Sequence, residues 1–386
     1  MRSMQSSSDT KAPLAIAKHF ASLKDPRVDR TKLHPLLNVI VIALLGVTCG
    51  AEGWDDLQDW GEAKRSWLAT FLDMPNGVPK ADTFRRVFEA LRPAAFATCM
   101  SAWIKGLAAP LGGQVVAFDG KALRGALARS FERTSLHMVH AWACEQRLLL
   151  GIEQVEGAPE EGAAIRRLLE TLELREAIVT VDAGNASKAN VDAIIEHDAD
   201  YVVTIKGNRA AAHATLQAFF KDAEAKAFEG VAVRKQTTTE RGHGRHELRQ
   251  IWVVAASVLP TLQTRWTGLR SVVMVRRTRV HGDGRVEVET HYYASSLAPR
   301  VRLIAKAIRT HWGVENGLHW ILDVQLREDS CPIRHEAGAA NFALLRRIAV
   351  MLLKRDTTSK RGVRAKQKNA GWDHDFLLHV ITCGMP

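Results

Sequence analysis

VVAFDG (115–120), LHMVHAWA (136–143), RLLLGIEQV (147–155), AIVTVD (177–182) and YVVTIK (201–206) are the runs on which the fold turns. Each is short, rich in apolar and β-branched residues, and bounded by polar or turn-forming positions, which is the pattern of a buried strand. The second and third flank Cys144–Gln146 and predict a hairpin. Between the later runs the period changes. Glu160–Leu172 places Ile165, Leu168, Leu169 and Leu172 at helical spacing, and Ser187–His197 predicts a second helix. The order is β-β-β-α-β-α-β, which implies a mixed sheet with helices on both faces.

Two of these strands end in an acid. Asp119 closes the first and Asp182 closes the fourth, 182 − 119 = 63 residues later. An aspartate at the C-terminal end of a buried strand lies at the sheet margin where ligands bind. A lone Asp there is more often a turn former, but two on matching elements can share a hard cation. This order, with acids in its first and fourth strands, matches the ribonuclease H-like fold.

Working outward, residues 1–12 are polar and serine-rich and predict disorder. Residues 13–110 predict an all-helical domain, with helices over Pro13–Leu23, Leu36–Cys49, Trp54–Gly61, Lys64–Leu72, Lys80–Leu91 and Pro93–Leu107. The first part of the α/β core covers 111–209. Residues 210–298 hold a helical piece to about Phe228, then four alternating segments, and predict a β-rich insertion. Residues 299–353 return to helical spacing, and 354–386 predict a basic tail.

The helix of 299–353 contains IRTHWGVEN (308–316), which supplies a third acid, Glu315, flanked one turn away by His311 and His319. Asp323, Glu328 and Asp329 are rivals for its role. Glu315 lies 315 − 182 = 133 residues beyond Asp182, a gap that requires an insertion such as the β-rich block. The chain carries 53 Lys+Arg against 42 Asp+Glu, a formal net charge of +11. A basic protein that gathers acids at one point is suited to holding a divalent metal against a polyanion. Candidate phosphate contacts are Lys121, Arg124, Lys206, Asn208, Arg209, Arg309, His311 and His319. The glycine-containing turn TTTERGHGRHELR (237–249) adds Arg245, and its His243, His246 and Glu247 lack the HExxH spacing of a zinc helix.

The five cysteines are scattered, with no CxxC pair, so neither a zinc site nor a disulfide framework follows. The N-terminus lacks the apolar core of a secretory signal. The most apolar stretch, Leu36–Thr48, contains Asn38 and falls short of the roughly 20 residues a bilayer needs. A reduced, cytoplasmic, nucleoid-associated protein that does not engage a membrane is expected.

With these residues in hand, the chain resembles the H-repeat-associated transposases of bacterial insertion sequences, a branch of the DDE transposases. The likeness rests on VPKADTFRRVFEAL, FDGKALRG, HMVHAWA, IVTVDA, DYVVTIKGNR, RGHGRHELR, YYASSL and HWGVENGLHWILDVQLRED, and covers nearly the whole chain. It implies a ribonuclease H-like catalytic domain with a β insertion and a helical N-terminal domain. It also implies Mg²⁺-dependent cutting and joining of transposon ends, with Mn²⁺ as a substitute and Asp119, Asp182 and Glu315 as metal ligands. Inverted-repeat and target double-stranded DNA are the implied partners, met by a homodimer. The chain departs from the family pattern at Ser187, where a glutamine is frequent, and at Ala158–Glu160, Ile308, His311 and Leu322. A catalytically decayed DNA-binding regulator and a non-transposing nuclease are the rival readings.

Overall fold

The computed structural model describes residues 18–20, 22–123, 136–242 and 245–382. The expected disordered start and most of the first expected helix lie outside these residues, as does Arg124. Among the described residues nine strands form one mixed sheet in the order β3-β2-β1-β4-β5-β9-β8-β7-β6. The strands are β1 (Val115–Ala122), β2 (His137–Ala143), β3 (Leu148–Val155), β4 (Ile178–Val181), β5 (Asp200–Ile205), β6 (Val233–Gly242), β7 (Arg245–Ala255), β8 (Ser271–His281) and β9 (Val286–Ser295). The described residues divide into two compact units, one within 1–109, 120–164 and 314–386, the other within 110–119 and 165–313.

The first unit is built on a helix that sequence places far from its partners. It contains α1 (Leu36–Cys49), α2 (Trp54–Ala63), α3 (Arg65–Leu68), α4 (Ala81–Ala90) and α5 (Pro93–Lys105). α1 is apolar along its whole length, buried from Asn38 to Thr48, and ends at Gly50 in the left-handed conformation (φ 111°). A residue with a Cβ would be strained there, so glycine terminates the helix. A helix apolar on all sides must be surrounded. Its partner is a helix near the other end of the chain, Glu336–Arg355, which also packs on α4, α5 and β3. Every residue of that helix from Gly338 to Leu353 is buried. Asn341 donates to the Phe88 and Leu91 carbonyls at the C-terminus of α4, at 2.8 and 2.9 Å, and the Phe342 ring meets Trp54 edge-on at 5.1 Å. The segment expected as a basic tail carries two helices, Val363–Trp372 and His374–Thr382. Val363, Ala370, Leu377, Val380 and Ile381 are buried there, a face too sparse to register against the charged residues around it.

In the second unit, β1 and β4 pair in parallel, as do β4 and β5. Between and after them lie α6 (Glu161–Thr171, of which the last residues belong to this unit), α7 (Lys188–Glu196) and α8 (Ala210–Ala225). The β-rich segment continues the sheet. β9 pairs antiparallel with β5, and β8, β7 and β6 follow, each antiparallel to its neighbour. The inner halves of these strands are buried, as at Val272–Val275 and Tyr292–Ala294, while Val280, Val286 and Val288 on the outer halves are exposed. A short helix, α9 (Pro260–Arg265), precedes β8, and α10 (Val301–Val314) follows β9. Among the described residues no single helix is long and apolar enough to cross a membrane.

The burial contrast has a direct consequence for stability. Leu345→Ala in the surrounded helix, at a fully buried position, is expected to cost about 3 kcal/mol in urea unfolding of the full chain. Val288→Ala, 59% exposed, is expected to stay within about 0.5 kcal/mol.

Candidate active site

The expected end of the first strand at Asp119 is moved: β1 runs on to Ala122, and it is the pairing with β4 that stops just before Asp119 and Asp182. Val115 pairs with Ile178 and the ladder runs to Phe118 and Val181. Asp119 and Asp182 are each the next residue, so both follow directly on the last paired rung of that ladder. Both are partly exposed, as a ligand-facing carboxylate must be.

The loop after Asp182 is held by its own side chains. Asp182 Oδ1 accepts from the Asn185 backbone N–H and from Asn185 Nδ2, both at 3.0 Å. Asn190 Nδ2 donates to the Asn185 carbonyl at 2.8 Å, and Arg166 donates to Asn190 Oδ1 at 2.7 Å. Ser187 accepts from Asn190 N–H and caps α7. Asn208 Nδ2 donates to the Ala183 carbonyl at 2.5 Å, and Arg209 Nε to the Ala186 carbonyl at 2.8 Å. Two residues expected to meet phosphate are therefore bonded to the backbone of this loop. Lys206 stands exposed beside them.

Beneath Asp182, Thr180 Oγ1 and His311 Nδ1 lie 2.9 Å apart. Burial pushes the His311 imidazole down to about 4, against the raising pull of the Asp182 charge. It is neutral at physiological pH and adds no cation to compete at the acids. Arg309 is committed to Glu240 at 2.6 Å, a half-exposed pair of little energetic weight.

In the first unit, Lys121 lies two residues after Asp119, on the same face of β1 by strand alternation. It was expected at the DNA surface, yet it is 8% exposed. Its ammonium lies 2.6 Å from Asp323, 3.5 Å from Asp329 and 3.9 Å from Glu328. Glu328 is itself buried and forks onto Arg347 at 2.7 and 3.3 Å. Burial raises the Asp323 carboxyl, while Lys121 pulls it down. These three acids are thus gathered around a lysine. Gly120, between Asp119 and Lys121, faces the opposite side. A Cβ there would lie 2.0 Å from Glu161 Oε1, which His137 also holds at 2.7 Å.

Glu315 opens a π-helical segment, Glu315–His319, with a second one at Ile321–Gln325. Its carboxylate is exposed. His319, at the end of the first segment, meets His140 with 3.3 Å between their Nε2 atoms. Burial, then the nearby His319, Arg347 and Lys121 charges, hold His140 well below the usual histidine range. Arg245 opens β7. The structure therefore sets Asp119 beside Asp182 in one unit and places Glu315 in the other. Among the described residues no three His, Cys, Asp or Glu side chains are grouped to hold a metal. Sequence reasoning missed Thr180, Asn185 and Arg347. Asn185 had a signal, as an Asn three residues after an Asp in a turn, but Arg347 had none inside its apolar helix.

Two family profiles match this chain. The one described as "Transposase DDE domain" covers residues 110–352, and "DDE_Tnp_1-associated" covers residues 17–104. The "H repeat-associated putative transposase YhhI" of Escherichia coli (strain K12) is 31% identical over 371 residues, 95% of this chain and 97% of that protein. The "Putative transposase YncI" of Escherichia coli O157:H7 is 28% identical over 373 residues, 95% and 94% of the two chains. A protein of Xanthobacter autotrophicus, "Uncharacterized protein in dhlA 3'region", is 35% identical over 281 residues, 72% and 92% of the two chains.

The neutral His311 makes stability depend on pH in a defined direction. The unfolded chain takes up this proton near pH 6.5, whereas the folded protein refuses it until about pH 4. The stability it contributes is complete above pH 6.5 and is lost as pH falls toward 4. That amounts to about 3 kcal/mol at most, at about 1.4 kcal/mol per pH unit. Urea unfolding in metal-free buffer should show this slope in the wild type and a flatter one in His311→Asn.

Proposed function

The chain belongs to the transposase family defined by the DDE domain, and from that premise we propose that it cuts and rejoins DNA at the ends of an insertion sequence in a metal-dependent reaction. Asp119, Asp182 and Glu315 are the proposed metal ligands. The reading is supported above all by the placement of Asp119 and Asp182 directly after the last paired residues of two parallel strands. The proposed core is the ribonuclease H-like set of strands in the order β3-β2-β1-β4-β5, with β6–β9 as its extension.

The donor set suits a hard divalent cation, since carboxylate oxygens are the ligands such ions prefer. When bound, Mg²⁺ supplies the Lewis acidity that activates water or a 3′-hydroxyl and stabilises the leaving oxygen. The chain's own residues then have separable tasks. Asn185 fixes Asp182 through Oδ1 and leaves Oδ2 for a ligand. Asn208 and Arg209 brace the loop that follows, so that the carboxylate does not reorganise during the reaction. His311 stays neutral below it. The exposed Lys206 is left to meet phosphate, and the chain's basic balance draws DNA toward it. Two copies on paired ends form the proposed working assembly.

A supercoiled plasmid carrying the element's inverted repeats tests this reading. With Mg²⁺ the wild type should nick at the ends and produce joined strands. Asp119→Ala, Asp182→Ala and Glu315→Ala should each fall by about a thousandfold or more, roughly 4 kcal/mol of lost transition-state stabilisation. Equal nicking by wild type and variants would reject the proposal, and nicking without joined products would reduce it to a nuclease.

A further inference from the structure

A lysine buried among acids on the strand that bears Asp119 needs its own account. Lys121 and Arg347 are both nearly inaccessible, and they face Asp323, Glu328 and Asp329. Arg347 already satisfies Glu328 through two contacts. Lys121 is thus the cation left for Asp323, and that partner sits in the second π-helical segment, eight positions after Glu315. Burying an ammonium is costly unless geometry and pairing are good. A merely solvating contact would leave Lys121 at the surface.

The π-helical stretch has a second anchor. Lys354, in the last turn of the Glu336–Arg355 helix, donates to the Gly317 carbonyl at 2.8 Å, and a Cβ at Gly317 would lie 2.9 Å from its Nζ. At the far end, Arg327 adopts the left-handed conformation (φ 52°) and turns the chain into Glu328–Ser330. A non-glycine residue held there is strained. That turn delivers Glu328 and Asp329 to the same ammonium. A stretch of π-helix, an unusual backbone often found at functional sites, is therefore pinned at Gly317, at Asp323 and at its exit.

We propose that Lys121 is a positioning residue: its ammonium, clamped by Asp323 with Asp329 and Glu328, fixes the second π-helical segment, which follows the one opened by Glu315, to the strand that carries Asp119. This rests on the proposed role of the two acids. Strand β1 then does two things on one face, presenting Asp119 and, two residues on, gripping the segment that follows the third acid's. Lys121 touches no substrate in this account. Its charge is spent on geometry, and Asp323, Glu328 and Asp329 are its counter-ions.

Hydrogen exchange of the full chain tests this, using Asp323→Asn and the size-matched neutral pair Lys121→Met/Asp323→Leu. The amides of residues 315–325 should exchange about tenfold faster or more in both variants, with those of Leu36–Cys49 unchanged. Half-maximal nicking by Asp323→Asn should need about tenfold more Mn²⁺, with metal-free DNA binding unaltered. Unchanged exchange at 315–325 overturns the proposal. So does acceleration spread evenly over the first unit, because that is the signature of simple charge balance. If the wild type itself does not nick, the transposition reading falls while the exchange result still decides the role of Lys121.

Discussion

Parallel pairing of β1 with β4 is the constraint on which the rest of this molecule depends. Parallel neighbours cannot be joined by a tight turn, so the chain must cross over and return. The β2–β3 hairpin and α6 occupy that crossover. In exchange, the pairing stops in both strands at the same level, directly before Asp119 and Asp182. The 63-residue offset between Asp119 and Asp182 is the same offset that relates Val115 to Ile178 and Phe118 to Val181. A slip of one residue would turn one acid to the opposite face. Fully buried side chains such as Phe118 and Val179 hold that register.

The acids of the two units are managed by different means. Asp182 is locked locally, by an Asn three residues on, and its loop is braced by Asn208 and Arg209. The cluster of Asp323, Glu328 and Asp329 is neutralised by lysine and arginine drawn from a strand and from a surrounded helix. In a low-dielectric interior an unpaired member of such a network is expensive, which makes the arrangement all-or-none. Burial lowers His140 in the first unit and, separately, His311 in the second. The cations at the cluster are a lysine and an arginine.

The four strands beyond β5 have two characters along their length. Near the core they are apolar and closed. Farther out, Glu247, Arg279 and Glu287 align across three strands and Arg277 pairs with Glu289. Exposed pairs contribute little singly, but a cross-strand ladder fixes register where no core does. Trp312, at the end of α10, meets this ladder through Arg277 at 5.6 Å and His291 at 6.0 Å. The helix that leads to Glu315 is thereby fastened to the outer sheet.

Much of this was legible in the chain itself. The strand runs, the helix over Leu36–Cys49 and the acids on two neighbouring strands follow from local periodicity, because a strand or helix advertises the face it must bury; that the first strand runs on past Asp119 to Ala122 does not. What periodicity does not state is which partner covers that face. So sequence could propose a helical segment over 36–105 but could not say that its cover is Glu336–Arg355. It could mark the alternating runs of 231–296 but could not say that they prolong the same sheet. It could count Lys121, Asn208 and Arg209 as cations and donors near an acid. Only the folded chain made Lys121 a buried counter-ion and turned the other two onto the Asp182 loop. A charge finds its partner through space, and residues some two hundred positions apart become neighbours only when the core closes around them.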